Sequence, residues 1–287
     1  MTITRLKRAQ EPDDPRTPEQ VIQHYEVERG LAGQLRRANA AERQTLYRAV
    51  YDELFRRVPH HPQLIRQDFS EAATRARTGW QVALLEKFTG PETVLLEVGA
   101  GDCAVTLQMC HRVKLGCAAD VSRILPDSTP VPENFRLTIF DGLTLPLPAG
   151  SVDVAYSNQL MEHLHPDDAE AQLRSIHAAL RPGGSYLCIT PNHIGGPWDV
   201  SEYFDDAATG LHLKEYTFGE LAALMRRVGF RRVLPLVGGR GRYWRFPMWP
   251  LLALERIMSW LPTELRFRMA RRKVLRFFLG IRLVATK

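Results

Sequence analysis

The stretch "VLLEVGAGDC", Val94–Cys103, joins an apolar run to a glycine-rich turn. The run is typical of a strand that is buried on both faces in a parallel sheet. Glu97 interrupts it, and because burying an unpaired charge costs several kcal/mol, its carboxylate needs water or a partner. Gly99 and Gly101 let the backbone turn tightly and approach a ligand without a Cβ in the way. The stretch therefore indicates a ligand beside the end of this strand.

The residues that follow alternate between strand and helix patterns. We predict strands over about 93–98, 115–119, 136–140, 152–157 and 184–190, helices over 102–112, 167–181 and 217–228, and a last strand in the terminal "FFLGIRLVATK". Strands that alternate with helices predict an α/β fold with a doubly wound, mostly parallel sheet and right-handed crossovers. Ligands bind such a sheet at the carboxyl ends of its strands, where Glu97 and the glycines are expected.

The preceding residues show helical patterns. The piece "TPEQ", Thr17–Gln20, is a good helix start, because a capping threonine is followed by a proline in the first turn. We predict a disordered, polar and proline-rich N-terminus over residues 1–16 and a helical cap over 17–90. The α/β domain then comprises 91–240 and 274–287, with a basic, aromatic-rich helical insertion over 241–273.

The composition is that of a soluble globular protein, with 45% hydrophobic and 24% charged residues. No apolar run reaches the roughly 20 residues that a membrane span needs, and no secretory signal is seen, so a cytoplasmic location is predicted. The cysteines form no C-x-x-C pair and no Cys/His cluster at zinc spacing, so we predict buried, reduced thiols and no metal site. They are Cys103, Cys110, Cys117 and Cys188.

Positive charge is concentrated near the end of the chain. The segment Gly239–Lys287 holds twelve Lys/Arg against two acidic residues, whereas the whole chain has a net charge of only +6. The rest of the chain is therefore net acidic, which argues against nucleic acid as a partner. Tryptophan beside arginine in 241–273 suits a peripheral membrane contact at the inner face of the membrane. A lid over the α/β domain and a homodimer contact are the alternatives.

A second acidic residue suggests what the ligand contains. Asp120 ends the second predicted strand, nineteen residues after Gly101, where a carboxylate usually accepts hydrogen bonds from two ribose hydroxyls. The third strand ends in Phe140-Asp141-Gly142, which suits an adenine. The run Gly99–Ala104 also fits a dinucleotide fingerprint, so a nicotinamide-dependent oxidoreductase is an alternative. Glu97 and Asp102 count against that alternative, because they would repel a pyrophosphate.

Several further motifs stand in a familiar order. The first motif is followed by "CAADVS", "IFDGLTLPLPAGSVDVAYSNQLMEHL", "ALRPGGSYLCITPN" and "HLKEYTFGELAALMRRVGF". From about Val94 to Phe230, the chain resembles the class I S-adenosylmethionine-dependent methyltransferases that act on small molecules. The resemblance implies a Rossmann-like methyltransferase fold with a seven-stranded sheet, and S-adenosyl-L-methionine as cofactor. About half of the chain is covered, and the N-terminal ninety residues and the segment after Gly239 lie outside it.

The resemblance also implies a set of cofactor-binding residues. They are Glu97, Gly99 and Gly101 at the methionine moiety, Asp120 at the ribose, Asp141 and Gly142 at the adenine, Ser157 and Asn158 facing the cofactor from the fourth strand, and the neighbouring Ala100 and Val121. Glu97 would then pair with the ammonium group of the cofactor. The alternative for Glu97 is a carboxylate that caps the following helix.

Methyl transfer from a sulfonium needs positioning and exclusion of water, and no metal in principle. If the acceptor is a hydroxyl, a base must take its proton, and neutral histidine is the usual choice. The candidates at strand ends are His163, His193 and His212, and Tyr51, His60 and His61 could reach the site from the cap. Polar groups in 192–216 favour a small-molecule or saccharide acceptor that is methylated on oxygen: a sugar, a lipid-linked saccharide or a secondary metabolite. A non-catalytic protein that binds the cofactor or a partner is the alternative.

Overall fold

The computed structural model describes residues 5–10, 14–65, 71–123, 125, 129–239 and 241–287. Its strands are β1 (Val94–Val98), β2 (Leu115–Asp120), β3 (Phe135–Ile139), β4 (Val152–Asn158), β5 (Leu180–Thr190), β6 (Arg232–Gly239), β7 (Arg242–Arg245) and β8 (Ile281–Thr286). They form one sheet in the order β3-β2-β1-β4-β5-β8-β6-β7. Strands β1 to β5 are parallel, whereas β8 runs antiparallel between β5 and β6. The predicted α/β fold with its mostly parallel sheet is confirmed.

The helices cover both faces of this sheet. They are α1 (Pro18–Arg37), α2 (Ala40–Arg57), α3 (Pro62–Ile65), α4 (Glu71–Leu85), α5 (Ala104–Met109), α6 (Pro166–Ala179), α7 (Phe218–Val228), α8 (Met248–Ser259), α9 (Thr263–Ala270) and α10 (Lys273–Leu279). Buried residues of α1, α2, α6 and α7 share one apolar core with one face of the sheet. Those of α4 and α5 pack on the other face. The N-terminal helices therefore lie on both sides of the sheet.

The sheet has one strand more than the seven predicted. Strand β7 lies in the segment 241–273, which was expected to be helical, and pairs antiparallel with β6. Glycine makes this hairpin feasible: Gly241 has φ +78°, and a Cβ on Gly238 would lie 2.1 Å from the carbonyl oxygen of Arg242. The rest of that segment contains α8 and α9.

Residues 5–10 and 14–16 of the segment that was expected to be disordered include residues with defined contacts. The backbone amides of Lys7 and Arg8 donate to the carbonyl oxygen of Tyr203, at 2.8 and 3.2 Å. Arg16 is buried and pairs with Asp14 at 2.6 Å. These charged residues have partners far along the chain or within the turn, which composition alone does not reveal. Residues 1–4 and 11–13 lie outside the described residues.

A buried ion pair joins the helical cap to the sheet domain. The guanidinium of Arg43 in α2 donates twice to Asp168 in α6, at 2.6 and 2.8 Å. The hydroxyl of Tyr47 donates to the same carboxylate at 2.7 Å and accepts from the backbone amide of His165. Such bidentate, charge-assisted bonds fix geometry as well as adding energy.

Two expectations from composition can be compared with the structure. The four cysteines are free and buried, as predicted. Within the described residues, no helix is both long enough and apolar enough to cross a membrane.

Candidate functional site

The loop between β1 and α5 turns tightly against β2. The amides of Gly99 and Ala100 both donate to the carbonyl oxygen of Ala119, at 2.8 and 3.3 Å. Gly99 and Gly101 have φ values of +73° and +52°, which favour glycine. A Cβ on Gly99 would also lie 3.0 Å from the side chain of Leu160. The predicted glycine turn therefore lies at the carboxyl edge of the sheet, folded towards β2.

Asp120 faces this loop from the end of β2. One carboxylate oxygen accepts from the amide of Gly101 at 2.8 Å, and the other accepts from the amide of Ser122 at 3.1 Å. The side chain is half-buried and has no ion pair among the described residues. The structure therefore brings the second predicted acid and the glycine turn together, although they are nineteen residues apart in sequence.

The third pair of predicted residues lies at the neighbouring strand end. One oxygen of Asp141 accepts from the amides of Leu143 and Thr144, at 2.8 and 2.7 Å. Gly142 has φ +86°, and a Cβ there would lie 3.2 Å from the side chain of Val121. The ends of β1, β2 and β3 thus present glycines and acids along one edge, where a parallel sheet binds ligands.

Glu97 is only 6% exposed and contacts the helix that follows it. Its Oε2 accepts from the backbone amide of Thr106 at 3.1 Å and from the hydroxyl of the same residue. Burial raises the pKa of Glu97 to about 7, although the two bonds from Thr106 oppose this shift. The carboxylate therefore caps α5, which was the alternative considered from the sequence. A cation beside it would restore its ionised form.

Ser157 does not face the ligand edge, contrary to the prediction. Its side chain is fully buried and its hydroxyl lies 2.7 Å from the hydroxyl of Tyr186 in β5. Successive side chains of a strand point to opposite faces, and residue 157 points into the core beneath α6 and α7. Asn158, at the end of β4, is half-buried.

His163 and His212 form a buried cluster with Glu162. The two imidazole rings meet edge to face with centroids 4.9 Å apart. One ring nitrogen of each histidine and one carboxylate oxygen of Glu162 all lie within 4.8 Å of one another. His163 Nδ1 lies 3.1 Å from the carbonyl oxygen of Leu211. Because a carbonyl only accepts, Nδ1 carries the proton and Nε2 keeps a lone pair. Burial, followed by the neighbouring His212, lowers the pKa of His163 to about 3.

His212 has the opposite charge state. Its Nδ1 donates to the carboxylate of Glu215 at 2.8 Å, and both residues are buried. Burial disfavours the imidazolium, but the bond to Glu215 and the charges of Asp199 and Glu162 outweigh it and raise the pKa of His212 to about 9. At neutral pH, therefore, His163 is a neutral acceptor and His212 is a cation.

His193 is not part of this cluster. It begins a 3-10 turn after β5 and is exposed, while the next residue, Ile194, is buried. Its backbone amide donates to the carbonyl oxygen of Tyr216 at 2.8 Å. Its side chain makes no hydrogen bond or ring contact with the residues that the structure describes. The turn buries one side only, and His193 lies on the other.

Tyr51 reaches the cluster from α2. Its ring lies edge-on to that of His163, with centroids 5.9 Å apart. Burial, followed by the charges of Glu28, Glu162 and Asp120, raises the pKa of its hydroxyl. Tyr51 therefore lies among acidic groups of both the cap and the strand ends.

The other two candidates from the cap, His60 and His61, contact residues of α1 within the cap. His60 Nε2 lies 2.9 Å from the carbonyl oxygen of Gln20. His61 packs edge to face on His24 in α1, with ring centroids 4.6 Å apart.

Sequence reasoning missed Glu28. This buried residue of α1 accepts from the backbone amide of Leu211 at 2.8 Å and pairs with His24 at 2.7 Å. Burial opposes its ionisation, but His24 and the Leu211 amide lower the pKa of Glu28 below its usual value. The signal was the i,i+4 spacing of His24 and Glu28 on a helix, although nothing in it indicates the contact with residue 211.

The segment 192–216 is largely engaged in internal contacts. Phe204 stacks on Tyr25 with ring centroids 4.1 Å apart, and the Tyr25 hydroxyl donates to Asp205 at 2.6 Å. Trp198 Nε1 donates to the carbonyl oxygen of Asn192 at 2.8 Å. These aromatic and acidic groups therefore fold the segment against the cap, with the Glu162, His163 and His212 cluster beneath it.

Comparison with protein families agrees with the arrangement at the strand ends. A model of the methyltransferase domain matches residues 49–234, which is more than half of the chain. The chain belongs to this methyltransferase domain family. The match includes β1 to β5 and the strand-end residues described above, together with part of α2 and all of α4.

An individual relative supports this membership over a shorter stretch. Over 86 residues the chain is 37% identical to a protein of Mycolicibacterium smegmatis (strain ATCC 700084 / mc(2)155) that bears the name "Probable S-adenosylmethionine-dependent methyltransferase". The matched stretch is 30% of this chain and 31% of that protein. The chain thus spans about a third of the length of this curated relative.

Solved structures share the methyltransferase fold. One is the 1,6-didemethyltoxoflavin-N1-methyltransferase of Burkholderia thailandensis with bound 1,6-didemethyltoxoflavin and S-adenosylhomocysteine, with a TM-score of 0.51, 20% identity, and 87% of this chain and 89% of that chain covered. Another is phosphoethanolamine N-methyltransferase 1 of Haemonchus contortus in complex with phosphoethanolamine and S-adenosylhomocysteine, with a TM-score of 0.54, 14% identity, and coverage of 87% and 50%. At these identities the likeness shows the fold alone.

Proposed function

We propose that this protein is an S-adenosylmethionine-dependent methyltransferase that methylates a hydroxyl of a saccharide or other small molecule. The observation that carries the proposal is the meeting of Asp120 with the Gly99–Gly101 turn at the sheet edge. The residues fit the cofactor: Asp120 would accept from the ribose, Asp141 would lie at the adenine, and Glu97 at the ammonium. Glu97 would repel the pyrophosphate of a dinucleotide, which disfavours a dinucleotide as cofactor.

The bound cofactor would supply a methyl group that is already activated on a sulfonium. The residues of this chain must hold the acceptor oxygen in line and accept its proton. The geometry of His163 suits that second task, because its Nδ1–H donates to Leu211 and its Nε2 keeps a lone pair. Its pKa of about 3 makes it a weak base, but the acceptor oxygen becomes strongly acidic as it gains the methyl group, so a weak base is sufficient. The proton of the acceptor hydroxyl would pass to Nε2 as the oxygen–methyl bond forms and the methyl–sulfur bond breaks, with S-adenosylhomocysteine as the leaving group.

His212 has a positioning role in this proposal. Its imidazolium is held by Glu215 and is therefore no proton acceptor at neutral pH. It lies edge-on to His163 and fixes the orientation of that ring. The base among the three predicted histidines is then His163, since His193 lies outside the cluster.

A specific observation favours a second kind of acceptor. The carboxyl groups of Glu28, Glu162 and Asp199 lie near the His212 imidazolium in a buried region, where burial raises the pKa of Glu162 to about 7. A cation beside Glu162 would favour its ionised form, which suits a cationic acceptor, such as an amine, better than a neutral one. Methylation on nitrogen is therefore the alternative to methylation on oxygen.

The test has a binding arm and a product arm. In the binding arm, titration calorimetry with S-adenosylhomocysteine is compared for the wild type and Asp120→Ala, which removes hydrogen bonds to a charged acceptor worth about 1.5–3 kcal/mol each. We expect binding that the substitution weakens by at least ten-fold. Equal affinities for two folded proteins would refute the assignment of Asp120.

In the product arm, the enzyme is supplied with a ¹³C-methyl-labelled cofactor and a panel of saccharides, other alcohols and amines. Mass spectrometry and NMR of the product identify the methylated atom. We expect an O-methyl product that is lost in His163→Ala. An N-methyl product would establish the alternative acceptor, and cofactor binding with no product from any acceptor would favour the non-catalytic reading.

A further inference from the structure

The outer face of α8 is an exposed apolar surface. Its residues recur at i, i+3, i+4, i+7, i+8 and i+11, which is the spacing of one helix face. They are Trp249, Leu252, Ala253, Arg256, Ile257 and Trp260, and we call them the α8 outer stripe. Trp249 is 73% exposed, Trp260 71% and Ile257 56%. Large apolar side chains at such exposures, side by side, mark an interaction site rather than ordinary surface scatter.

The opposite face of α8 fixes this orientation. Leu251, Glu255 and Met258 are buried against the body of the protein. The Glu255 carboxylate accepts from the side-chain amide of Asn192 at 2.7 Å and from the backbone amide of Phe218 at 2.8 Å. Turning the stripe inward would expose this face and break both bonds. The buried contacts of the opposite face therefore keep the stripe facing outward.

Positive charge lies within the stripe at Arg256 and on the segments that follow α8. Arg256, Arg268, Arg272 and Lys273 are exposed and form no ion pair with any residue that the structure describes. Neither acidic residue of the last segment neutralises them: Glu255 is buried, and Glu264 pairs with Arg8 at 2.8 Å. The Arg256 guanidinium lies 5.7 Å from the centre of the Trp260 ring.

We propose that the α8 outer stripe docks on the surface of an anionic lipid membrane. Tryptophan and aliphatic side chains enter the boundary between headgroups and acyl chains, and neighbouring arginines meet anionic headgroups. The chemistry of the stripe, apolar with free cations, matches both parts of that surface. A second copy of the chain fits less well, because a two-fold contact brings the two Arg256 side chains close together without an acid between them.

The position of α8 connects this surface to the methyl acceptor, a step that rests on the proposed function. The Glu255 carboxylate accepts from Asn192, which lies two residues after the end of β5 at the carboxyl edge of the sheet. The outer stripe and the face that contacts the loop after β5 thus belong to the same helix, α8. A lipid-linked saccharide anchored in the same membrane would present its hydroxyls near that edge. The substrate class that follows is a saccharide on a lipid carrier.

The membrane proposal is tested with the full chain and two kinds of vesicle. Co-sedimentation with vesicles of phosphatidylcholine and phosphatidylglycerol, and with vesicles of phosphatidylcholine alone, is measured at low and at high salt. We expect binding to the anionic vesicles at low salt and weaker binding at high salt, because surface charges are screened. Each cation that reaches the surface is expected to contribute about five-fold to partitioning. Protein that stays in the supernatant under all conditions would overturn the proposal.

Variants identify the stripe as the contact. Trp249→Ser together with Trp260→Ser should lower partitioning into anionic vesicles at least ten-fold. The matched control is Val131→Ser, because Val131 is also an exposed apolar residue, 46% exposed, and precedes β3 at the far edge of the sheet. Equal losses in both variants would contradict the assignment.

Analytical ultracentrifugation of the same proteins tests whether the α8 outer stripe contacts a second copy of the chain instead. A dimer that the tryptophan variant abolishes, with no vesicle binding by the wild type, would show that the stripe contacts a second copy and would overturn the membrane proposal. Methylation of a water-soluble acceptor should be unchanged in the tryptophan variant. Failure of the docking proposal and failure of the proposed function are therefore separate results.

Discussion

At the scale of single residues, Glu97 shows how a ligand can be coupled to a proton. Burial raises the pKa of this carboxyl to about 7, so it is partly protonated at neutral pH. An ammonium group placed beside it favours the ionised form and lowers that pKa. We expect cofactor binding between pH 6 and 8 to release a proton, seen as a calorimetric enthalpy that varies with the ionisation enthalpy of the buffer. Glu97→Gln should abolish the variation, and a wild type without it would contradict the pairing.

His212 gives a prediction about stability and pH. Its folded-state pKa of about 9 lies above the ordinary histidine value of about 6.5, so its protonation favours the folded state. The contribution is complete below about pH 6.5 and is lost as the pH rises through 9. We expect the wild type to lose stability relative to His212→Gln over that range in urea unfolding. A difference between the two proteins that does not change with pH would refute the charged state of His212.

At the scale of elements, the sequence determined what depends on local pattern. The period of the apolar residues and the glycines of the first motif placed β1, the turn after it and Asp120 correctly. The sequence did not show which face of β4 carries Ser157, because neighbouring residues of a strand point to opposite faces and a shift of one residue exchanges them. Nor did it show β7, where Gly238 and Gly241 allow a hairpin inside a segment whose arginines and leucines favour helix.

The histidine cluster lay beyond sequence reasoning for a different reason. His163 and His212 were both candidates, but the charge state of His163 depends on the Leu211 carbonyl, 48 residues away, and that of His212 depends on how Glu215 is buried with it. A backbone carbonyl has no signature in sequence. The candidates were therefore visible, and the distinction between acceptor and cation was not.

The contact of α2 with α6 yields a prediction about the cap. Asp168→Ala leaves the buried Arg43 guanidinium and the Tyr47 hydroxyl without their acceptor, and removing one partner of a buried pair costs about 3–5 kcal/mol. The matched control is Asp167→Ala, since the neighbouring Asp167 side chain is 81% exposed. Urea unfolding should show this loss in the free energy of unfolding for Asp168→Ala and not for Asp167→Ala. A loss below about 1 kcal/mol would mean that the cap does not depend on this pair.

At the scale of the whole molecule, the helical cap holds residues 199–212 as well as covering the sheet. Arg36 of α1 donates to the carbonyl oxygens of Thr209, Gly210 and His212, at 2.8 to 3.3 Å. The N-terminal residues 7 and 8 bind the same segment at Tyr203. Helix α1 and the chain before it therefore act together on residues 199–212, which lie more than 160 positions away in sequence.

Glu28 is the buried centre of that coupling and supplies a prediction for the molecule as a whole. Glu28→Gln keeps the size of the side chain but removes the charge that pairs with His24 and accepts from the Leu211 amide. We expect faster hydrogen–deuterium exchange in residues 199–212, with exchange in β1 and β2 and affinity for S-adenosylhomocysteine unchanged. Because the pKa of Glu28 is lowered, the wild type should approach the variant as the pH falls below the usual glutamate value.

The control for this experiment is Glu26→Gln, which changes an exposed residue of the same helix. It should leave exchange in residues 199–212 as in the wild type, because its carboxylate takes no part in holding the segment. Protection that is equally reduced in both variants would indicate a general loosening of α1. If Glu28→Gln leaves the protection unchanged, Arg36 and the apolar contacts of α1 are sufficient to hold residues 199–212 in place. The buried charge of Glu28 would then have no part in holding them.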